Sequence, residues 1–201
     1  KGTKITKNYG RMPGARFFPD AKLNYAENLL RAADNAIAIE EFREDEFSNA
    51  LTRKELESKA LKMAGWMKSK GVKKGDRVCA YMPNCSETVI TMLATSALGA
   101  IFSSCSSDFG VEGVIDRFEQ IEPKIMIAAN GYLYNGKVIE RSEEIKTISK
   151  RLSSLEHIII VDYINSTKNI ETLPKFKTVF QSDTLENYVL CKFNDPLYIV
   201  F

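Results

Sequence analysis

Val78-Cys-Ala-Tyr-Met82, Ala100-Ile-Phe-Ser103, Lys124-Ile-Met-Ile-Ala-Ala129 and His157-Ile-Ile-Ile-Val-Asp162 are four short, almost chargeless runs spaced by helix-like segments. Half-solvated antiparallel strands alternate apolar with polar residues; strands apolar throughout belong inside a parallel sheet covered on both faces. The spacers fit that reading. Residues 86–98 form a helix stopped by Gly99, 111–121 one that ends before Pro123, and 142–155 a third. Strand–helix alternation from 78 to 162 predicts an α/β fold: a doubly wound, mostly parallel sheet with right-handed crossovers and helices on both faces.

Working outward, Thr52-Arg-Lys-Glu55 has capping-box spacing, in which hydroxyl and carboxylate satisfy reciprocal backbone donors. Leu56, Ala60, Met63, Ala64 and Met67 then share one helical face, and Gly71 stands at a C′ position. Residues 36–42 read as a strand turned around by 45–50. Residues 23–30 read as one or two helical turns in an extended approach punctuated by Pro13, Gly14 and Pro19. On the other side, Asn130-Gly131 and Asn135-Gly136 are both turn dipeptides bracketing a short excursion with tyrosines. Residues 164–190 read as irregular and polar, and Asp195-Pro-Leu-Tyr-Ile-Val-Phe201 as a strand entered from a turn. The division expected is an extension or cap over 1–35 and an incomplete domain over 36–201.

Bulk composition excludes little. The chain has 201 residues, 44% hydrophobic and 27% charged, and a net charge of +2 gives no reason to expect nucleic acid or an anionic membrane as partner. Four cysteines without a C-x-x-C pair, Cys79 and Cys105 in apolar runs, suit a reducing, cytoplasmic setting. No apolar run approaches the roughly 18 residues that span a bilayer. Lys1-Gly-Thr-Lys reads as a processed or cut end.

The usual catalytic sets are missing. The single histidine, His157, opens an apolar strand and reads as structural, so no Ser–His–Asp or Cys–His system assembles. Neither a dinucleotide fingerprint nor a Walker loop occurs, and Asp108-Phe-Gly110 lacks the company that would make it a kinase metal motif. Glu40-Glu41 and Glu143-Glu144 read as solvated faces. Two loops could bind a ligand. Ser103-Ser-Cys-Ser-Ser-Asp108 lies between a strand and a helix N-terminus and suits a phosphate, or else supplies N-caps such as Asp108. Tyr132-Leu-Tyr-Asn-Gly-Lys137 suits a planar base and a phosphate, or else is an ordinary surface hairpin.

Taken in order, Leu51-Thr-Arg-Lys-Glu-Leu56, Gly71-Val-Lys-Lys-Gly-Asp-Arg-Val78, Tyr81-Met-Pro-Asn-Cys-Ser-Glu87 and Ala97-Leu-Gly-Ala-Ile101 resemble the acyl-CoA synthetase branch of the adenylate-forming superfamily. The finer resemblance is to its acetoacetate–CoA ligases. It rests on Phe18-Pro-Asp-Ala-Lys-Leu-Asn-Tyr-Ala-Glu-Asn-Leu-Leu30, Gly99-Ala-Ile-Phe-Ser-Ser-Cys-Ser-Ser-Asp-Phe-Gly110, Asp116-Arg-Phe-Glu-Gln-Ile-Glu-Pro123 and Tyr134-Asn-Gly-Lys137. The resemblance implies ATP with Mg²⁺, an acyl-adenylate and transfer to CoA, in a reaction tied to lipid and ketone-body metabolism. It also implies that the phosphate loop would begin directly after Phe201, so the chain would be a fragment, inactive without the remaining C-terminal part of its polypeptide. No catalytic or metal-ligating residue is therefore expected here. In acetyl-CoA synthetase relatives a loop after the second strand lies near the CoA nucleotide. Ser106, Ser107 and Asp108 occupy its place, with its glycines replaced. Those relatives also set an Arg-x-Gly-Arg motif on the CoA phosphates. Lys137 keeps its second positive charge, and Tyr134 stands where the first would be. A ligase for another short acid, acetate or propionate, and a non-catalytic α/β module that binds a nucleotide or protein are the other readings.

Overall fold

The computed structural model describes residues 2–166 and 173–201. Its chain enters through a small hairpin, β1 (Thr6–Lys7) and β2 (Arg16–Phe17), followed by β3 (Lys22–Leu23) and helix α1 (Tyr25–Leu30). Asn24 caps α1 by accepting from Glu27 N, and its side-chain amide reaches Ser96 O, Ala97 O and Val189 O at 2.8–3.1 Å. One buried amide thus satisfies orphan carbonyls at the far end of another helix. Ala26 and Leu30 enter the main core. The approach segment is thereby bound to the rest of the fold.

Strands β4 (Ile37–Phe42) and β5 (Ser48–Thr52) form an antiparallel hairpin. The expected turn over 45–50 is shorter than predicted, because Ser48 to Ala50 pair with Phe42 to Glu40. Helix α2 (Arg53–Ser69) follows at once, with both capping-box bonds formed and all five predicted face residues buried. Gly71 has φ +77, the left-handed conformation that a C′ residue requires.

The central sheet contains β6 (Arg77–Tyr81), β7 (Ile101–Cys105), β8 (Ile125–Ala129) and β11 (His157–Val161), all parallel, in the spatial order β11-β8-β6-β7. Helix α3 (Ser86–Ala97) joins β6 to β7, α4 (Val111–Ile121) carries the chain back across β6 to β8, and α5 (Ser142–Arg151) leads to β11. Between β8 and α5 lies the hairpin of β9 (Gly131–Tyr134) and β10 (Lys137–Glu140). Period-two alternation persists inside the apolar runs. Val78, Ala80, Ile125, Ile127, Ile159 and Val161 face α2 and α3, while Cys79, Tyr81, Met126, Ala128 and Ile160 face α4 and α5. The doubly wound α/β class expected from the sequence is the observed one.

Several local expectations give way to packing. Asn130-Gly131 is not a turn. Asn130 is buried and its side chain brackets Tyr163 N, Ile164 N and Ile164 O, while Gly131 opens β9 against Ile164, with no room for a Cβ. Helix α5 stops at Arg151 rather than 155, because Leu152 leaves helical geometry (ψ 87) to bury its side chain. The stretch 164–190, of which 167–172 lie outside the described residues, is more than polar loop. A 3₁₀ turn, Phe176–Gln181, and Leu185 bury Phe176, Val179 and Leu185 in the core. Residues 195–201 make a single parallel bridge, Phe102 to Tyr198, instead of a full strand. They lie along β7 through Phe102 N to Leu197 O and Ile199 N to Phe102 O, and Pro196 offers no N–H to extend the ladder. Strand β12 (Cys191–Lys192) returns to β3. Among the described residues no helix is long and apolar enough to cross a membrane.

Candidate functional site

In a sheet ordered β7-β6-β8-β11, the connections after the neighbouring strands β6 and β8 depart to opposite faces, so their carboxyl ends flank the switch point where open α/β sheets bind ligands. Tyr81 ends β6 there. It is fully buried, and its hydroxyl lies 2.7 Å from Phe109 O and 3.1 Å from Ser107 O. Burial pushes the Tyr81 phenol up to about 12, so it stays a donor to these carbonyls throughout the physiological range.

The loop it holds contains the sequence-predicted Ser106, Ser107 and Asp108. Ser106 and Asp108 are exposed; Ser107 is 1% exposed and its hydroxyl has no partner. Asp108 does not cap α4. The N-cap is Gly110, whose lack of a side chain leaves the first-turn N–H groups without a side-chain acceptor. Phe109 instead lies under the Arg117 guanidinium, 4.5 Å from the ring centre.

The second predicted pair sits on the β9–β10 hairpin. Asn135 (φ 49) and Gly136 (φ 71) make a two-residue turn with both centres left-handed, the type I′ geometry that suits strand twist. Tyr134 and Lys137 are directly paired across it and so share one face, both exposed, at the tip. Gly136 N donates to the Glu44 carboxylate, 3.0 Å away on the β4–β5 turn.

What joins hairpin and loop is a residue that sequence reasoning missed, Arg141. It lies between β10 and α5 with its side chain 14% exposed. Nε donates to Ser107 O at 2.8 Å, Nη1 to Glu144 at 2.7 Å and Nη2 to the Tyr132 hydroxyl at 3.2 Å. Burial works against its charge, but Tyr81, Glu144 and Tyr132 together outweigh burial and raise the guanidinium's pKa. The available signal was the i,i+3 spacing of Arg141 to Glu144 at a predicted helix start. Glu41, read as a solvated acid, was the second miss. It is buried and accepts from Ser86 N (2.9 Å) and Ser86 Oγ (2.7 Å) at the start of α3. Its position in the β4–β5 hairpin gives no hint of that long-range partner.

The remaining candidates are structural. His157 meets the edge of Trp66, with ring centres 6.2 Å apart. Cys79, Cys85 and Cys105 are buried free thiols whose pKa values burial raises, Cys85 to about 12. Among the described residues no three His, Cys, Asp or Glu side chains form a group able to hold a metal ion. A cavity of about 200 Å³ lies elsewhere, near Ser96, Gly99 and Ala100 at the amino end of β7.

A doubly wound sheet with its polar loops gathered at the carboxyl ends of the strands is the scaffold of a small-molecule-binding α/β protein. The chain belongs to the AMP-binding enzyme family, whose model matches residues 27–201. It is 41% identical to an acetoacetyl-coenzyme A synthetase of Rhizobium meliloti (strain 1021), over 100% of this chain and 31% of that protein. It is 38% identical to an acetoacetyl-CoA synthetase of Macaca fascicularis, over 92% of this chain and 29% of that one. The structure of an acetoacetyl-CoA synthetase from Streptomyces lividans superposes with a TM-score of 0.94 at 32% identity, covering the whole chain and 31% of the other. A Brucella canis acyl-CoA synthetase shares the fold at 17% identity, with a TM-score of 0.71. The chain thus spans about 30% of the length of the relatives it matches.

Proposed function

We propose that this chain is an amino-terminal portion of an ATP-dependent acid–thiol ligase that activates acetoacetate and transfers it to CoA. The observation that supports it best is the 41% identity, over the full chain, to a protein named for that reaction. In the reaction, the acetoacetate carboxylate attacks the α-phosphorus of ATP, and pyrophosphate leaves. The CoA thiolate then attacks the acyl-adenylate carbonyl, and AMP leaves. Mg²⁺ would accompany ATP in this reaction, as the family resemblance implies. The division into a 1–35 extension and an incomplete 36–201 domain belongs to the same reading, as does a cytoplasmic location.

The part of the task that falls to these residues is a partial CoA site. The exposed Lys137 ammonium would meet a CoA phosphate, Tyr134 would flank it on the same hairpin face, and Ser106 and Asp108 would border the nucleotide, with the Ser107 side chain buried behind them. Lys137→Ala in the longer polypeptide is expected to raise KM for CoA about ten-fold, the loss of one charge-assisted contact, and to leave ATP–pyrophosphate exchange unchanged. The assignment as a whole is tested by that exchange with acetoacetate, acetate and propionate. Exchange is expected with acetoacetate in the longer polypeptide and with none of the acids in the 201-residue chain alone. Preference for acetate or propionate would replace the acyl assignment. Exchange by the isolated chain would overturn the view that the reacting groups lie outside it.

A further inference from the structure

We propose that Arg141 is a positioning residue that locks the β7–α4 loop and the β9–β10 hairpin into one unit, so that both address the same CoA nucleotide; this rests on the CoA reading above. Three of the guanidinium's five N–H groups are committed inside the protein. Its Nε, Nη1 and Nη2 are each engaged, on Ser107 O, Glu144 and the Tyr132 hydroxyl, and its Cζ lies 5.1 Å from the centre of the Tyr132 ring. Those partners come from three elements: the loop after β7, helix α5 and strand β9. A planar fork serves them from three separate nitrogens in fixed directions, whereas an ammonium's three donors all leave one atom.

The consequence for an anion follows from what happens to the carbonyls. Ser107 O receives Arg141 Nε, and Phe109 O receives the buried Tyr81 hydroxyl. Both of these carbonyls are therefore turned toward the protein, which removes two acceptor dipoles that would repel phosphate, while the exposed Asp108 carboxylate remains on the loop. Gly110 adds no competing side-chain cap to α4. The same guanidinium holds Tyr132, two residues before Tyr134 on the strand that leads to Lys137. If Arg141 lets go, the carbonyl of Ser107 keeps only the 3.1 Å contact of the Tyr81 hydroxyl, and the hairpin loses its fixed angle to the loop.

The test uses the longer polypeptide with its natural substrates. Arg141→Gln is expected to raise KM for CoA about ten-fold while ATP–pyrophosphate exchange holds, and the increase should not multiply with that of Lys137→Ala in the double variant. Arg141→Lys should recover only part of the loss. Tyr132→Phe, which removes a hydroxyl from an otherwise intact ring, should reproduce a smaller share. Hydrogen exchange on Arg141→Gln should show amides of 106–110 and 132–138 opening together, with those of β8 unchanged. An unchanged CoA KM beside a raised one for Lys137→Ala, or fully multiplicative effects, overturns the proposal. If Lys137→Ala itself leaves the CoA KM unchanged while both segments open in Arg141→Gln, the CoA reading has failed and the clamp stands. If the segments do not open together, the clamp itself is wrong.

Discussion

At the residue scale, the informative side chains are polar ones in apolar surroundings. Glu41 is the clearest, because a carboxylate 8% exposed survives only with donors to satisfy it, and Ser86 supplies two of them. Removing it strands the Ser86 N–H in the first turn of α3. Glu41→Ala should therefore cost about 1–3 kcal/mol, against about 1 kcal/mol for Thr52→Ala at the exposed cap of α2. Urea unfolding of both variants beside the parent decides the order; equal losses would mean that the Glu41 bond is no better than a surface cap. The Thr52 cap was legible because its partner Glu55 is three residues away, whereas Glu41 and Ser86 are separated by 45 positions.

At the element scale, local signals succeeded where an element's own sequence carries its start and stop, as in α2, with a capping box before it and Gly71 after it. They failed where a neighbour decides. Gly65, inside α2, illustrates the point. Propensity alone predicts that alanine there stabilises a helix by about 1 kcal/mol. A Cβ at Gly65 would stand 1.8 Å from Asp183 O, a backbone atom that cannot rotate away. The strand of chain that bonds Leu185 N to Leu61 O would have to lift off the helix. Packing wins over propensity, and Gly65→Ala should lose about 1–3 kcal/mol net, read from the urea midpoint. A rise in the midpoint would show that residues 183–185 do not rest on α2. The shortened α5 and the core side chains of 176–185 were missed for the same reason.

At the scale of the whole molecule, buried neutral acids set the alkaline limit. Burial raises Tyr81 from 10.0 to about 12 and, with help from Glu87, Cys85 from 9.0 to about 12. Unfolding lets both groups ionise at their ordinary values, so above pH 9 the unfolded chain binds fewer protons than the native one. Stability is then complete below about pH 9 and falls as pH rises through about 12. Circular dichroism at fixed urea should trace that decline. Tyr81→Phe should flatten the part above pH 10, where the phenol begins to ionise in the unfolded chain. A decline equally steep in Tyr81→Phe would mean that other groups carry it.

The sequence by itself determined the layered α/β class, because four doubly apolar strands and their helical spacers admit one arrangement that buries both faces. It also marked the β7–α4 loop and the hairpin tip, whose small, turn-forming and charged residues break the apolar pattern, although Ser107 is drawn inside. Only the tertiary structure decided how those two segments are joined. Arg141, Tyr81 and Tyr132 act through hydrogen bonds to partners 9 to 34 residues away, and no periodicity or spacing along one chain encodes a contact that exists only once the sheet has closed.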